Sequence, residues 1–96
     1  MSLSPSTLVT RVAEADLVEA DTGEGVVMLR MDDGICFGLN KVGTAIWRHL
    51  SKERSVADLS DALMRDFRVD RDTCERQLQA LLEELSAERL IVVRAA

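Results

Sequence analysis

Residues 26–50, VVMLRMDDGICFGLNKVGTAIWRHL, constrain the fold more than any other stretch of the chain. Two apolar runs flank Asp32-Asp33-Gly34, and Gly34 suits the left-handed position of a hairpin loop. Asn40 then stands where a helix N-cap would, since its side-chain oxygen can accept from the free amides of a first helical turn. Val42, Ala45, Ile46 and Leu50 follow at helical spacing, with Trp47 beside the stripe. The expectation is two strands, a tight turn and a capped amphipathic helix.

Burial of one sheet face selects the register of such a hairpin. With Asp32-Asp33-Gly34 as the whole loop, Met31 faces Ile35, Leu29 faces Phe37 and Val27 faces Leu39, so apolar side chains fill one face. A shorter Asp33-Gly34 loop would set Arg30 beside Phe37 and Met28 beside Leu39 and mix the faces. The longer loop is therefore expected. Residues 35, 37 and 39 then bond to the neighbouring strand, and Cys36 and Gly38 turn their backbone groups outward, because such pairs alternate in an antiparallel ladder. Neither has a bulky side chain. If the first strand lies beside residues 26–31, residues 35–39 form an open sheet edge where an extended guest chain could be added. The competing reading is that the small residues accommodate the chain's own tail.

Elsewhere the pattern is helical. Residues 1–7 read as a frayed terminus, residues 8–12, extended by 17–20, as a first strand, and residues 21–25 as a loop. Gly43 is explained by close packing of its helix on the sheet. Ser55 and Asp58 form a weak capping box ahead of Val56, Leu59, Leu63 and Phe67. Asp70 can cap a third helix, where Cys74, Leu78, Leu81, Leu82 and Leu85 make the longest stripe. Residues 90–93 close the chain as a short strand or a packed tail. The expected architecture is a single α+β domain over residues 1–96: a three-stranded antiparallel sheet followed by three helices, winged helix-turn-helix-like.

Composition limits the function. The chain is 47% hydrophobic and 30% charged, as globular proteins are. The aromatic residues are Phe37, Trp47 and Phe67, so the core must be mostly aliphatic. The net charge of −5 opposes binding to nucleic acid, which needs a basic face. A winged-helix DNA reader would use the third helix, where Arg71, Arg76 and Arg89 are outweighed by Asp72, Glu75, Glu83, Glu84 and Glu88. No apolar run approaches the roughly 20 residues that span a bilayer, and the N-terminus lacks the pattern of a signal peptide. The cytoplasm is the expected compartment. Cys36 and Cys74 read as buried thiols, and His49 as a helix-end histidine. No nucleophile with a base, metal cluster or cofactor loop is legible, so neither catalytic residues nor a cofactor are expected.

Leu39-Asn40, Gly43, Ile46-Trp47 and Leu50, the Ser55-Val56-x-Asp58-Leu59 helix start, and the leucine-rich last helix ending near Leu90 occur in an order and spacing that resembles the PqqD-like family. That family consists of small domains binding the leader segments of ribosomally made, post-translationally modified peptides. The resemblance covers roughly residues 25–92. The version serving pyrroloquinoline quinone usually has a Trp-Val-Leu-Leu-type strand and then a proline-containing one. This chain has Val27-Met28-Leu29 and a Leu-Asn-x-x-Gly-x-x-x-Trp run, more similar to the stand-alone proteins of lasso-peptide pathways. The resemblance implies a non-catalytic protein whose leader pairs with Ile35, Cys36, Phe37, Gly38 and Leu39. Cys74, Leu78, Leu81 and Leu82 would wall the groove, with Arg71 and Glu75 at its mouth. It further implies a separate leader peptidase as partner and a cyclase or other modifying enzyme acting later, with no nucleic acid or membrane involved.

Overall fold

The computed structural model describes residues 3–12 and 17–95. The elements run β1 (Leu8–Arg11), β2 (Leu17–Asp21), β3 (Val26–Arg30), β4 (Cys36–Leu39), α1 (Lys41–His49), β5 (Arg54–Ser55), α2 (Val56–Asp66), α3 (Arg71–Ala87) and β6 (Ile91–Arg94). They form two antiparallel three-stranded sheets, ordered β5-β1-β6 and β2-β3-β4. The α+β class and the meander leading into three helices are as expected. The single first strand is not: β1 and β2 belong to different sheets, and residues 13–16 between them lie outside the described residues. Alternation within a short apolar run cannot tell which sheet a strand joins.

The last strand answers the question about the tail. β6 pairs along β1, from Leu8 opposite Arg94 to Arg11 opposite Ile91. It is an edge strand of the first sheet and does not pair with β4, whose one neighbour among the described residues is β3. The N-terminal segment departs from the frayed reading. Leu3 joins the core, and the Gln79 side chain clamps its main chain, accepting from Leu3 N at 3.0 Å and donating to Leu3 O at 2.9 Å. An amide side chain thus does for Leu3 what a neighbouring strand would do. Residues 1–2 lie outside the described residues.

All three helices start where local chemistry indicates. Asn40 accepts from Gly43 N at 2.9 Å, Ser55 from Asp58 N at 3.0 Å and Asp70 from Thr73 N at 2.9 Å, each satisfying an amide that no helical carbonyl can reach. Gly43 is less constrained than expected, since a methyl there would meet Leu39 and Asn40 at 3.4 Å, ordinary contact. The core between sheets and helices is built on Trp47, Met28, Ile46, Leu50, Leu59, Leu63, Leu78 and Leu82. His49 ends α1 and lies 3.6 Å from Asp66. Cys74 is buried, its thiol 3.7 Å from the Ser60 carbonyl, whereas Cys36 is exposed and corrects the buried reading.

The end of α3 turns on Arg89, which has φ 61°, a left-handed conformation that glycine adopts at less cost. Leu90 N donates to Leu85 O and Arg89 N to Ser86 O, the two bonds of a Schellman cap, with Leu85 and Leu90 both buried. Arg89→Gly should therefore raise stability by about 1 kcal/mol, read as a higher denaturation midpoint with an unchanged slope. A lower midpoint would mean that the arginine side chain holds the turn.

The hairpin register differs from expectation by one residue. Val26 pairs with Leu39, Val27 with Gly38, Met28 with Phe37 and Leu29 with Cys36. The loop therefore runs through Met31 as well, closed by Arg30 N to Ile35 O at 2.9 Å and Gly34 N to Arg30 O at 2.8 Å. Gly34 is left-handed as expected, with φ 72°. The slip turns β3 over: Val26 and Met28 enter the core, while Val27 and Met31 are exposed. β3 is apolar on both sides, so counting apolar residues could not decide. Arg30 decides it from the inner face, as its contacts with α3 show.

Candidate functional site

The bond from Arg30 N to Ile35 O sets the phase of the β3–β4 ladder. Bonded and non-bonded pairs alternate, so Phe37 opposite Met28 and Leu39 opposite Val26 are bonded inward. Cys36 and Gly38 sit at non-bonded positions and aim their N–H and C=O groups away from β3. The one-residue slip leaves this result unchanged, because both registers put residues 35, 37 and 39 in the bonded positions. Both residues are exposed, and a Cβ at Gly38 would meet no atom within 4 Å.

Beside this edge lies a groove of about 480 Å³, between residues 35–39 and the last two turns of α3. Phe37 and Leu39 line one side, with Leu81, Glu84, Leu85, Ala87 and Glu88 opposite. Leu81, Glu84, Leu85 and Glu88 recur at intervals of three and four, which places them on one helical face.

Arg30 fixes the angle at which hairpin and helix meet. Its guanidinium donates to Asp33 at 2.8 to 3.1 Å, lies 3.7 Å from the Glu88 carboxylate and also donates to the Glu88 carbonyl. It stands 5.1 Å from the centre of the Phe37 ring, within cation–π range. The last turn of α3 has no basic residue of its own, so Arg30 supplies the positive charge that a helix C-terminus favours. The Arg30 hydrogen bond holds the Asp33 carboxyl below its usual range, and Asp33 in turn raises Arg30. Arg11 plays a parallel part at α1. It donates to the Trp47 carbonyl at 2.6 and 2.9 Å and lies 4.4 Å from the centre of the Trp47 ring. Burial lowers the Arg11 pKa, partly opposed by Glu19.

The residues assigned to the site from sequence are only partly brought together. Ile35, Cys36, Phe37, Gly38, Leu39 and Leu81 all line the groove. Cys74, Leu78 and Leu82 do not, because they point into the core and are at most 1% exposed. Arg71 and Glu75 pair with each other at 3.7 Å and line a separate cleft beside Leu3, Pro5 and Val56. Ten residues of helix separate Arg71 from Leu81, about 15 Å at the rise of an α-helix, so the two cannot serve one short groove. Glu84, Leu85, Ala87 and Glu88 were not assigned to the site. Their spacing from Leu81 was legible, but which end of α3 meets the hairpin was not. Among the described residues no cluster of three or more His, Cys, Asp or Glu side chains could hold a metal ion. Among them, too, no helix is long and apolar enough to cross a membrane.

Fold and edge together define a small winged α+β domain whose edge strand β4 lies open beside the groove. The chain belongs to the PqqD family, described as coenzyme PQQ synthesis protein D, whose model matches residues 25–91. Among solved structures it is similar to TbiB1 in complex with the TbiA(beta) leader peptide, at 30% identity, with 100% of both chains covered and a TM-score of 0.69. It is also similar to lasso peptide synthetase B1 complexed with the leader peptide, at 26% identity over 88% of this chain and 96% of that one, with a TM-score of 0.71. A PqqD truncation of Methylobacterium extorquens PqqCD, a recognition element for ribosomally synthesized and modified peptides, shares the fold at 16% identity, with 95% of each chain covered and a TM-score of 0.72. No match to a curated protein sequence is found.

Proposed function

We propose that this chain captures the leader segment of a ribosomally made precursor peptide by taking it as an added strand on β4, and that it catalyses nothing itself. The observation carrying this reading is the free edge at Cys36 and Gly38 above an apolar groove. Backbone bonds to that edge give affinity that depends little on guest sequence, and the groove adds selectivity through alternate side chains. Ordering a flexible leader costs about 2–5 kcal/mol, which edge bonds and apolar anchors must exceed. Once tethered, the precursor meets a separate leader peptidase at raised effective concentration, with a cyclase or other modifying enzyme acting later. The similar leader-peptide complexes, at 30% and 26% identity, favour a lasso-peptide pathway over pyrroloquinoline quinone, whose representative is 16% identical.

Proline scanning along β4 tests the edge. Gly38→Pro or Cys36→Pro removes an outward N–H, and should weaken binding of a labelled leader peptide about tenfold or more while the fold survives. Phe37→Pro removes an inward bond and should cost about 3 kcal/mol of stability. Fluorescence anisotropy and urea denaturation on the same samples separate the effects. Equal loss of stability at all three positions, with binding merely following it, would refute the edge assignment. Duplex DNA at low salt serves as the control and should not bind.

A further inference from the structure

We propose that the groove selects guest segments with a lysine or arginine two residues away from an apolar anchor, Glu84 being the acceptor of the cation. This rests on the strand-addition reading above and specifies its occupant.

An added strand alternates its side chains. Those opposite Ile35, Phe37 and Leu39 share the side of the sheet that faces α3, and those opposite Cys36 and Gly38 share the side of Val27 and Leu29. Successive groove-facing guest residues are therefore two apart in sequence. Apolar lining from Phe37, Leu39, Leu81 and Leu85 suits one of them.

The other meets a charged wall. Glu84 and Glu88 stand one helical turn apart and both line the groove, whereas no lysine or arginine does. Glu88 is engaged by Arg30 at 3.7 Å. Glu84 is exposed and has no ion pair among the described residues. One carboxylate is thus left to face the guest. Arg30 also fixes where this lies, because its contact with Glu88 sets the turn of the β3–β4 hairpin against the end of α3. The carboxylates fall toward the hairpin turn and Leu81 one to two helical turns away from it. A guest with its cation and its apolar side chain at adjacent groove-facing positions satisfies both. An acidic guest would be repelled by the same carboxylate and by a chain of net charge −5, so the device rejects as well as attracts.

Three pools of short fluorescein-labelled synthetic peptides test this. Each fixes one leucine and, two residues later, a lysine, a glutamine or a glutamate, with all other positions mixed from Ala, Ser, Thr and Val. Wild-type protein should bind the lysine pool about fivefold more tightly than the glutamine pool, and the glutamate pool least. Glu84→Lys, whose thermal melt should match the wild type because the side chain is exposed, should reverse the order. If the three pools bind alike while Gly38→Pro still weakens all of them, the basic subsite is wrong and strand addition stands. A lysine preference that survives Glu84→Lys would overturn the assignment to Glu84. If Gly38→Pro changes binding of no pool, strand addition itself fails and the subsite fails with it.

Discussion

Leu82→Ala should lower the unfolding free energy by about 3–4 kcal/mol, and Leu81→Ala by about 1 kcal/mol or less, although the two leucines are neighbours in sequence. Leu82 is fully buried, so truncation leaves a cavity that packed neighbours cannot close. Leu81 is partly exposed and lines the groove, where truncation removes contact area from one side only. The order inverts for binding. Leu81→Ala should weaken a bound leader peptide several-fold, at about 25 cal/mol for each Å² of apolar area lost, whereas Leu82→Ala should act on binding only through the fraction of protein unfolded. Urea denaturation and anisotropy titration of both variants give the comparison. Equal stability losses would mean that α3 is rotated about its axis from the orientation described.

Gly25→Ala is the second large effect. A Cβ at Gly25 would lie 1.8 Å from the Leu39 carbonyl oxygen and 2.9 Å from its carbon. Those are backbone atoms at the β4–α1 junction, so no side-chain rotation relieves the overlap. Either β3 separates from β4 at that end or the start of α1 moves. A loss of about 3 kcal/mol is expected, with exchange protection falling first along β4. Gly38→Ala is the matched control. Its added methyl meets nothing within 4 Å and should leave stability within about 0.5 kcal/mol. If Gly25→Ala were as mild, the close approach of the two backbones would be wrong.

Gly25 also marks the limit of reading this chain from its sequence. It sits in a loop of ordinary composition, and nothing nearby in sequence reveals that Leu39 passes over it. The hairpin shows the same limit. Val26, Val27, Met28 and Leu29 are apolar on both faces of β3, so the pattern permits two registers. The choice follows from Arg30, whose partners Asp33 and Glu88 lie in the adjacent loop and on a distant helix. The outward turn of the Cys36 and Gly38 backbone groups was legible nonetheless, because it depends only on which β4 residues pair inward; the exposure of the Cys36 thiol was not.

What the sequence determined by itself is local: the three helix starts at Asn40, Ser55 and Asp70, the left-handed turn at Gly34, and the core stripe of α3. Each follows from a side chain acting on backbone within four residues of itself, or from a helical period that the chain carries wherever it goes. The tertiary structure alone decided that β6 closes on β1 and leaves β4 open, and that the hairpin meets the last turns of α3 instead of its first. Those are choices among partners far apart in the chain. They are made by shape and charge at contacts, Arg30 on Glu88 and Gln79 on Leu3, that exist only once the elements have met.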